Sequence, residues 1–457
     1  MEGRGARIEE PLEGKMSKTL SLGNVSTRLE WIAEMSRKHP ERVFTSLSHL
    51  IDMEWMQEAY RRTRKDGAPG VDDASASEFA AELSTNLELL VQSFHSGDYV
   101  APPVRRVEIP KDNGKTRPIG IPTFADKVLQ RAVAMLLEAL YEPHFHADSY
   151  GFRPGRSAHQ ASGLLQKLPT YWEFCWVIEA DIEGFFDAID HGKLREVLDR
   201  RVRDGAVRRV IDKWLNVGVV IGGRRHSTPA GTPQGGVISP LLANIYLDAV
   251  LDGWFEKDVR PRMRGRTRLV RYADDFVMLF GYESDARRVY DVLPKRFARF
   301  GLTLHALKTK LLPFSSPNVK LSAVRPPQTF TFLGFLHYWA KSRKGRYIVK
   351  RRTSKERFTR ALRRLKDRCI AMRHWCLSDQ HRVICQMIRG HCSYFGITGN
   401  GDCVSTFRSE AIRIWGRALS RRHRRRFTWK WFLPILGRFP VPLARPVHST
   451  CPSEPSI

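Results

Sequence analysis

At 457 residues, with 42% hydrophobic and 27% charged content, the chain can bury a large core and is expected to divide into more than one domain. Its formal charge of +28 points to a polyanionic partner, and residues 341–457 carry +22 of it, 28 Lys and Arg against 6 acids. No apolar run reaches the roughly 18–20 residues that span a bilayer, which argues against a membrane partner, and seven cysteines without CxxC spacing argue against a zinc finger and fit reduced thiols.

Residues 1–24 are expected to be a flexible lead-in; they carry acids and no apolar segment, which speaks against a leader peptide. Ser26–Arg64 reads as helical from the spacing of Leu29, Ile32, Ala33 and then Val43, Leu47, Leu50 and Ile51. KDGAPGVDD is a turn cluster. Val104–Ile121 alternates as a hairpin turning at Asp112–Gly114, with Lys111 and Arg117 on its flanks; from the residues alone a solvated hairpin with its charges outside is as good a reading as a functional one. Thr123 opens a cap-like T-F-A-D, and a buried-face helix should follow over Val128–Tyr141.

SYGFRPGRSAHQA sets aromatics beside Arg153 and Arg156. That composition suits stacking and phosphate pairing with RNA, and equally suits a loop docked on a core. In WVIEADIEGFFD a strand puts Val177, Glu179 and Asp181 on one face and Trp176, Ile178 and Ala180 on the other, ending before Gly184 and a new helix that carries Phe186. PQGGVISPLLANIYLD begins with a loop, Gln234–Gly236, whose backbone can approach a ligand closely. Ser239 and Pro240 then read as the cap and first turn of a helix over Leu241–Phe255.

LVRYADDFVMLF reads as two short strands around the adjacent acids Asp274 and Asp275. Alone it is either a polar hairpin turn or a site whose repulsion a divalent cation relieves. If the strands ending at Asp181 and at Asp274–Asp275 lie side by side, three carboxylates could hold two metals for an in-line phosphoryl transfer. Farther on, Asp285–Phe300 should be a helix. Phe358, Leu362, Leu365, Cys369 and Met372 form an apolar seam on another helix, with Arg357, Arg360, Arg364 and Arg368 around it. Arg421, Arg422, Arg424, Arg425 and Arg426 sit beside Phe427, Trp429 and Trp431, a pattern for RNA phosphate pairing and base stacking. The Pro-rich tail after Pro440 is expected to be loose.

RYADDF, with EADIEGFFDAIDH and GTPQGGVISPLLANIYLD before it, resembles the reverse transcriptases encoded by bacterial group II introns, in the order and spacing of that family from about Gly67 to about His448. The resemblance implies an α/β right-hand polymerase. An N-terminal extension would occupy 1–62, fingers and palm 63–340 with an antiparallel palm sheet and helices on one face, a basic helical thumb and maturase module 341–440, and a tail 441–457. It implies RNA-templated DNA synthesis with two Mg2+ ions at Asp181, Ile182, Asp274 and Asp275. Lys111, Arg117, Phe186, Gln234 and Lys308 would meet the incoming deoxynucleoside triphosphate, with Phe186 crowding the ribose 2′-hydroxyl, and FLGF (Phe332–Phe335) would support the primer end. Leu307 stands where the family has an acid before the Lys-Thr step, which weakens the assignment of Lys308. The implied partners are an RNA template, a DNA primer and the intron RNA, in a ribonucleoprotein of the bacterial cytoplasm. No HNH-like cluster follows the maturase region. A splicing cofactor without polymerase activity, and a related enzyme serving host defence or repair, are the competing readings.

Overall fold

The computed structural model describes residues 24–110, 116–221, 224–226, 231, 235–319, 327–424 and 426–448. Its centre is a four-stranded antiparallel sheet in the order Thr267–Tyr272, Asp275–Phe280, Trp176–Ala180, Lys310–Pro313. Alternation fixes which side chains face which way. Trp176, Ile178, Ala180, Leu269, Phe276, Met278 and Phe280 enter the largest core, shared with the helices Phe124–Tyr141, Ser239–Leu247 and Glu283–Ala298.

The opposite face is covered too, contrary to the expectation of helices on one face. Val177, Val270, Val277 and Leu279 pack with Leu165 and Leu168 of the helix Ala158–Tyr171 and with Phe330, Phe332 and Val349 of a second sheet. That sheet orders Tyr347–Thr353, Phe335–Lys341 and Phe330–Phe332 antiparallel. A strand buried on both faces carries apolar residues at consecutive positions, and each such side chain contributes about 1.5–3 kcal/mol.

The hairpin expected over 104–121 forms from Val104–Pro110 and Thr116–Ile121, with its turn outside the described residues. The helical stretch expected over Ser26–Arg64 is two helices, Val25–Lys38 capped by Asn24 and Met53–Arg62 capped by Asp52. Between them Phe44 exchanges main-chain hydrogen bonds with Arg201 and Arg203, which ties the linker down. Thr123 caps Phe124–Tyr141 as read. Ser239 does not cap the next helix: Ile238 holds the cap position without a side-chain bond, and Ser239 and Pro240 lie inside the first turn.

Beyond Thr353 the helices Lys355–Ala371, Leu377–Phe395, Gly401–Arg422 and Trp429–Arg438 build a separate core. Leu365, Cys369 and Met372 of the expected seam are buried in it, and Phe358 and Leu362 lie at its margin. The boundary expected between 340 and 341 falls inside the strand Phe335–Lys341, so that hairpin belongs to neither side alone. The tail is not loose as far as His448. Val441 is buried, and the amides of Val447 and His448 donate to the Gly396 carbonyl at 2.7 and 3.0 Å.

Candidate active site

Asp274 sits on a two-residue turn, Ala273–Asp274, and Asp275 opens the strand that follows. Tyr272 pairs with Asp275 across it, and Ala273 takes a left-handed φ of +55°, unusual for a residue with a Cβ. Because Ala180 is in register with Phe276, the next residue, Asp181, arrives beside Asp275. The two carboxyls are in hydrogen-bonding contact. Burial first, then the charges of Asp274 and Asp181, push Asp275 up to about 7. Burial and Asp181 also raise Asp274, against the opposing charges of Arg117 and Lys308. Lys308 Nζ lies 2.6 Å from Asp181 Oδ2, through a side chain mostly in solvent. The adjacent Leu307 is exposed.

Half-buried acids that resist ionisation mark a site short of positive charge. Their hard oxygens suit a divalent cation that takes one or two carboxylates and completes its shell with water and phosphate. Among the described residues no group of three or more His, Cys, Asp or Glu is already arranged to hold a metal.

A residue that sequence reading passed over holds the turn in place. Arg271, 0% exposed, forms an ion pair with Asp252 and donates to Asn244 Oδ1 at 2.9 Å and to the Ala273 carbonyl at 3.1 Å. Asn244 Nδ2 donates in turn to the Gly151 carbonyl at 2.8 Å. The Tyr150 amide donates to the Arg271 carbonyl at 2.9 Å, so the SYGF segment pairs with the strand behind the acids. In a strand pattern Arg271 looks like an outward charge; its partners lie far along the chain.

Asp275 and Leu333 also form one end of a groove of about 1150 Å3, which continues along Arg357, Arg360, Arg364 and Arg368. The cationic side of the helix Lys355–Ala371 thus opens toward the carboxylates. The FLGF segment supplies the turn at its mouth, with Leu333 and Gly334 both at positive φ and the Leu333 carbonyl accepting from Tyr394 Oη at 2.8 Å. His391 and Tyr394 also line the groove; both fall in RGHCSYFGITGN (Arg389–Asn400), which resembles the family's thumb and maturase region but singles out neither residue.

The reverse transcriptase (RNA-dependent DNA polymerase) family matches residues 109–337, a span that contains all three acids. The chain belongs to that family. It is 38% identical over 287 residues to protein YkfC of Escherichia coli (strain K12), covering 54% of this chain and 75% of that one. It is 39% identical over 224 residues to the group II intron-encoded protein LtrA of Lactococcus lactis subsp. cremoris, covering 48% of this chain and 37% of LtrA. It is 28% identical over 181 residues to nuclear intron maturase 2, mitochondrial, of Arabidopsis thaliana, covering 31% of this chain and 24% of that protein. The chain therefore spans most of the first relative and little more than a third of the second.

The other residues expected in this reverse transcriptase's site divide clearly. Arg117 stands on the strand Thr116–Ile121, close enough for its charge to act on Asp274. Phe186 is 9% exposed and meets Phe185 and Phe152 edge-on. The Ile182 side chain is buried in the core, which leaves its main-chain carbonyl as the only donor it could offer a metal. Lys111, Gln234 and Arg425 lie outside the described residues. Arg153, expected on an RNA surface, is buried and bonded to Glu142 and to the carbonyls of His146 and Ser149, so its guanidinium is committed to the fold. Arg156 remains exposed beside Tyr150. Arg421, Arg422, Arg424 and Arg426 are exposed, and Arg422 donates to the Trp375 carbonyl at 2.9 Å. Of the neighbouring aromatics only Trp429 is well exposed; Phe427 and Trp431 pack against the C-terminal core. Among the described residues no helix is long and apolar enough to cross a membrane.

Proposed function

We propose that this protein is the RNA-directed DNA polymerase of a group II intron, and that it also binds the intron RNA and assists its splicing and mobility. One observation carries the reading: the antiparallel register that sets Asp181 beside Asp275, at the end of a groove lined by arginines. In this reading the central sheet is the palm, the 104–121 hairpin belongs to the fingers, and the helices after Thr353 form the thumb and maturase module.

Asp181, Asp274, Asp275 and the Ile182 carbonyl would hold two Mg2+ ions. Bound there, the ions would lower the pKa of a primer 3′-hydroxyl and neutralise charge on the leaving pyrophosphate oxygen. The chain's own groups do the rest. Arg117, with Lys111 nearby in sequence, offers positive charge to the triphosphate of a deoxynucleotide. Phe186 stands by the sugar, and the Gly235–Gly236 backbone, with Gln234 before it, lies by the base. Arg357, Arg360, Arg364 and Arg368 pair with the phosphates of the primer–template duplex and hold the primer end toward Asp275. Lys308 adds positive charge beside Asp181.

Purified protein given an RNA template, a DNA primer, deoxynucleotides and Mg2+ should extend the primer. Asp274→Asn removes metal charge at constant size and should lower the rate by about a hundredfold or more, with RNA binding little changed. Near wild-type extension by the variant would refute the site. Failure of the wild type to extend while it binds intron RNA would favour a splicing cofactor.

A further inference from the structure

The helix Phe124–Tyr141 carries two buried polar residues one turn apart, Asp126 and Gln130, which no part of the chemistry above uses. Asp126 is 2% exposed. Its carboxylate accepts from Tyr99 Oη, from Trp214 Nε1 at 2.6 Å and from Gln130 Nε2 at 3.0 Å. None of these donors is a cation. A carboxylate so placed costs desolvation, and apolar packing would serve stability better.

What the carboxylate does is orient an amide. An ionised carboxylate only accepts, so Gln130 must turn its NH2 toward Asp126 and its oxygen the other way. Gln130 Oε1 then receives the Val237 amide at 2.7 Å and the Ile238 amide at 3.4 Å. These N–H groups belong to the start of the helix Ser239–Leu247, which has no side-chain cap of its own. Gln130 serves as a cap from a distant helix.

Two glycines ahead of the capped amides lie against two parts of the site. The Gly231 amide donates to the Ile189 carbonyl at 2.8 Å, and the Gly231 carbonyl accepts from His191 Nε2 at 2.6 Å. A Cβ at Gly231 would come within 2.8 Å of the Phe186 carbonyl. Gly235, at φ +119°, lies so close to the Arg117 strand that a Cβ would meet the Gly120 carbonyl at 2.5 Å. Gly231 therefore stands by the Phe186 turn and Gly235 by the strand carrying Arg117, and Gln130 pins the chain two residues after Gly235, at Val237.

From this geometry we infer that Gln130, oriented by Asp126, is a positioning residue for the incoming deoxynucleoside triphosphate. It fixes where the Gly235–Val237 backbone stands against the Arg117 strand, and so the depth of the pocket between that strand and Phe186. The inference rests on the polymerase reading given above.

The test uses the full chain with Gln130→Met, which keeps the volume and removes the acceptor, and Asp126→Asn, which keeps the shape and no longer dictates the amide's orientation. Single-nucleotide extension on a saturating RNA template and DNA primer should show the deoxynucleotide KM raised about fivefold to tenfold, with kcat within about twofold and primer–template affinity unchanged. Hydrogen exchange at Val237 and Ile238 should quicken in both variants and lose the protection that deoxynucleotide and Mg2+ confer on the wild type. An unchanged KM in folded variants overturns the inference. So does a joint loss of KM, kcat and primer–template affinity in step with melting temperature, which is what a merely structural pair would give. Extension by the wild type separately decides the polymerase reading, while the exchange measurement reads the Gln130 contact whether or not the enzyme is active.

Discussion

Phe186 is a residue whose burial and whose proposed role ask for the same side chain. Its ring is wedged edge-on against Phe185 and Phe152, as any core phenylalanine would be, yet it follows the strand end that carries Asp181. Phe186→Ala should cost stability, up to about 3–5 kcal/mol if the site cannot collapse. If the ring also crowds the sugar, the ratio of kcat/KM for deoxy- over ribonucleotides should fall by about tenfold or more. An unchanged ratio would leave Phe186 a packing residue. Asp126 offers a test by pH. Burial pushes its carboxyl up to about 6 against the usual 3.8. A folded pKa above the unfolded one means that the native state holds the proton more tightly, so stability is fully present below about pH 4 and declines as pH rises through 6. Relative to Asp126→Asn, the wild type should lose melting temperature over that window; parallel curves would show that Asp126 does not titrate there.

At the scale of elements, the carboxylate hairpin depends on a backbone that nearly touches it. A Cβ on Gly151 would lie 2.2 Å from the Ala273 amide nitrogen, with the Tyr272 carbonyl carbon at 2.9 Å; both are main-chain atoms with no flexible end to yield. Gly151→Ala should displace the turn that carries Asp274 and Asp275. A shift near 1 Å in a phosphoryl-transfer site is worth about a hundredfold in kcat, and overpacking should cost about 1–3 kcal/mol. A variant with wild-type kcat would show that the hairpin is not braced by this contact. The strand leading to Asp181 was legible because the apolar run Trp176–Ile178 gives way to acids at Glu179 and Asp181 just before Gly184, and the hairpin because its two acids break an apolar run. Arg271 and its brace were not, since Asp252 and Asn244 come within reach only through the helix that packs behind the sheet. The second sheet also escaped notice. Its strands are short or cross the expected domain boundary, and Arg351 and His337, buried on its inner side, look in sequence like solvent-facing residues.

For the molecule as a whole, the charge count located the basic C-terminal quarter of the chain but could not say which of its cations reach solvent or which face a groove. The structure separates two groups: Arg357, Arg360, Arg364 and Arg368 along the groove from Asp275, and an exposed set at Arg421, Arg422, Arg424 and Arg426 where the helix Gly401–Arg422 ends. Among the described residues the second set does not line that groove, and we propose that it serves a different polyanion, the folded intron RNA. Each phosphate it pairs should contribute about 0.7–0.9 to the slope of log affinity against log salt. Replacing Arg421, Arg422, Arg424, Arg425 and Arg426 together by Ala should therefore weaken intron binding and flatten that slope by about 3.5–4.5 if each pairs one phosphate. Extension of a short, saturating primer–template should change little, because the groove arginines remain. Intron affinity, salt slope and splicing assistance should be measured on the same preparation. If all three match wild type, the exposed set is only a solvated surface, and the intron must be held elsewhere. Arg156, exposed beside Tyr150, would then be the next position to test.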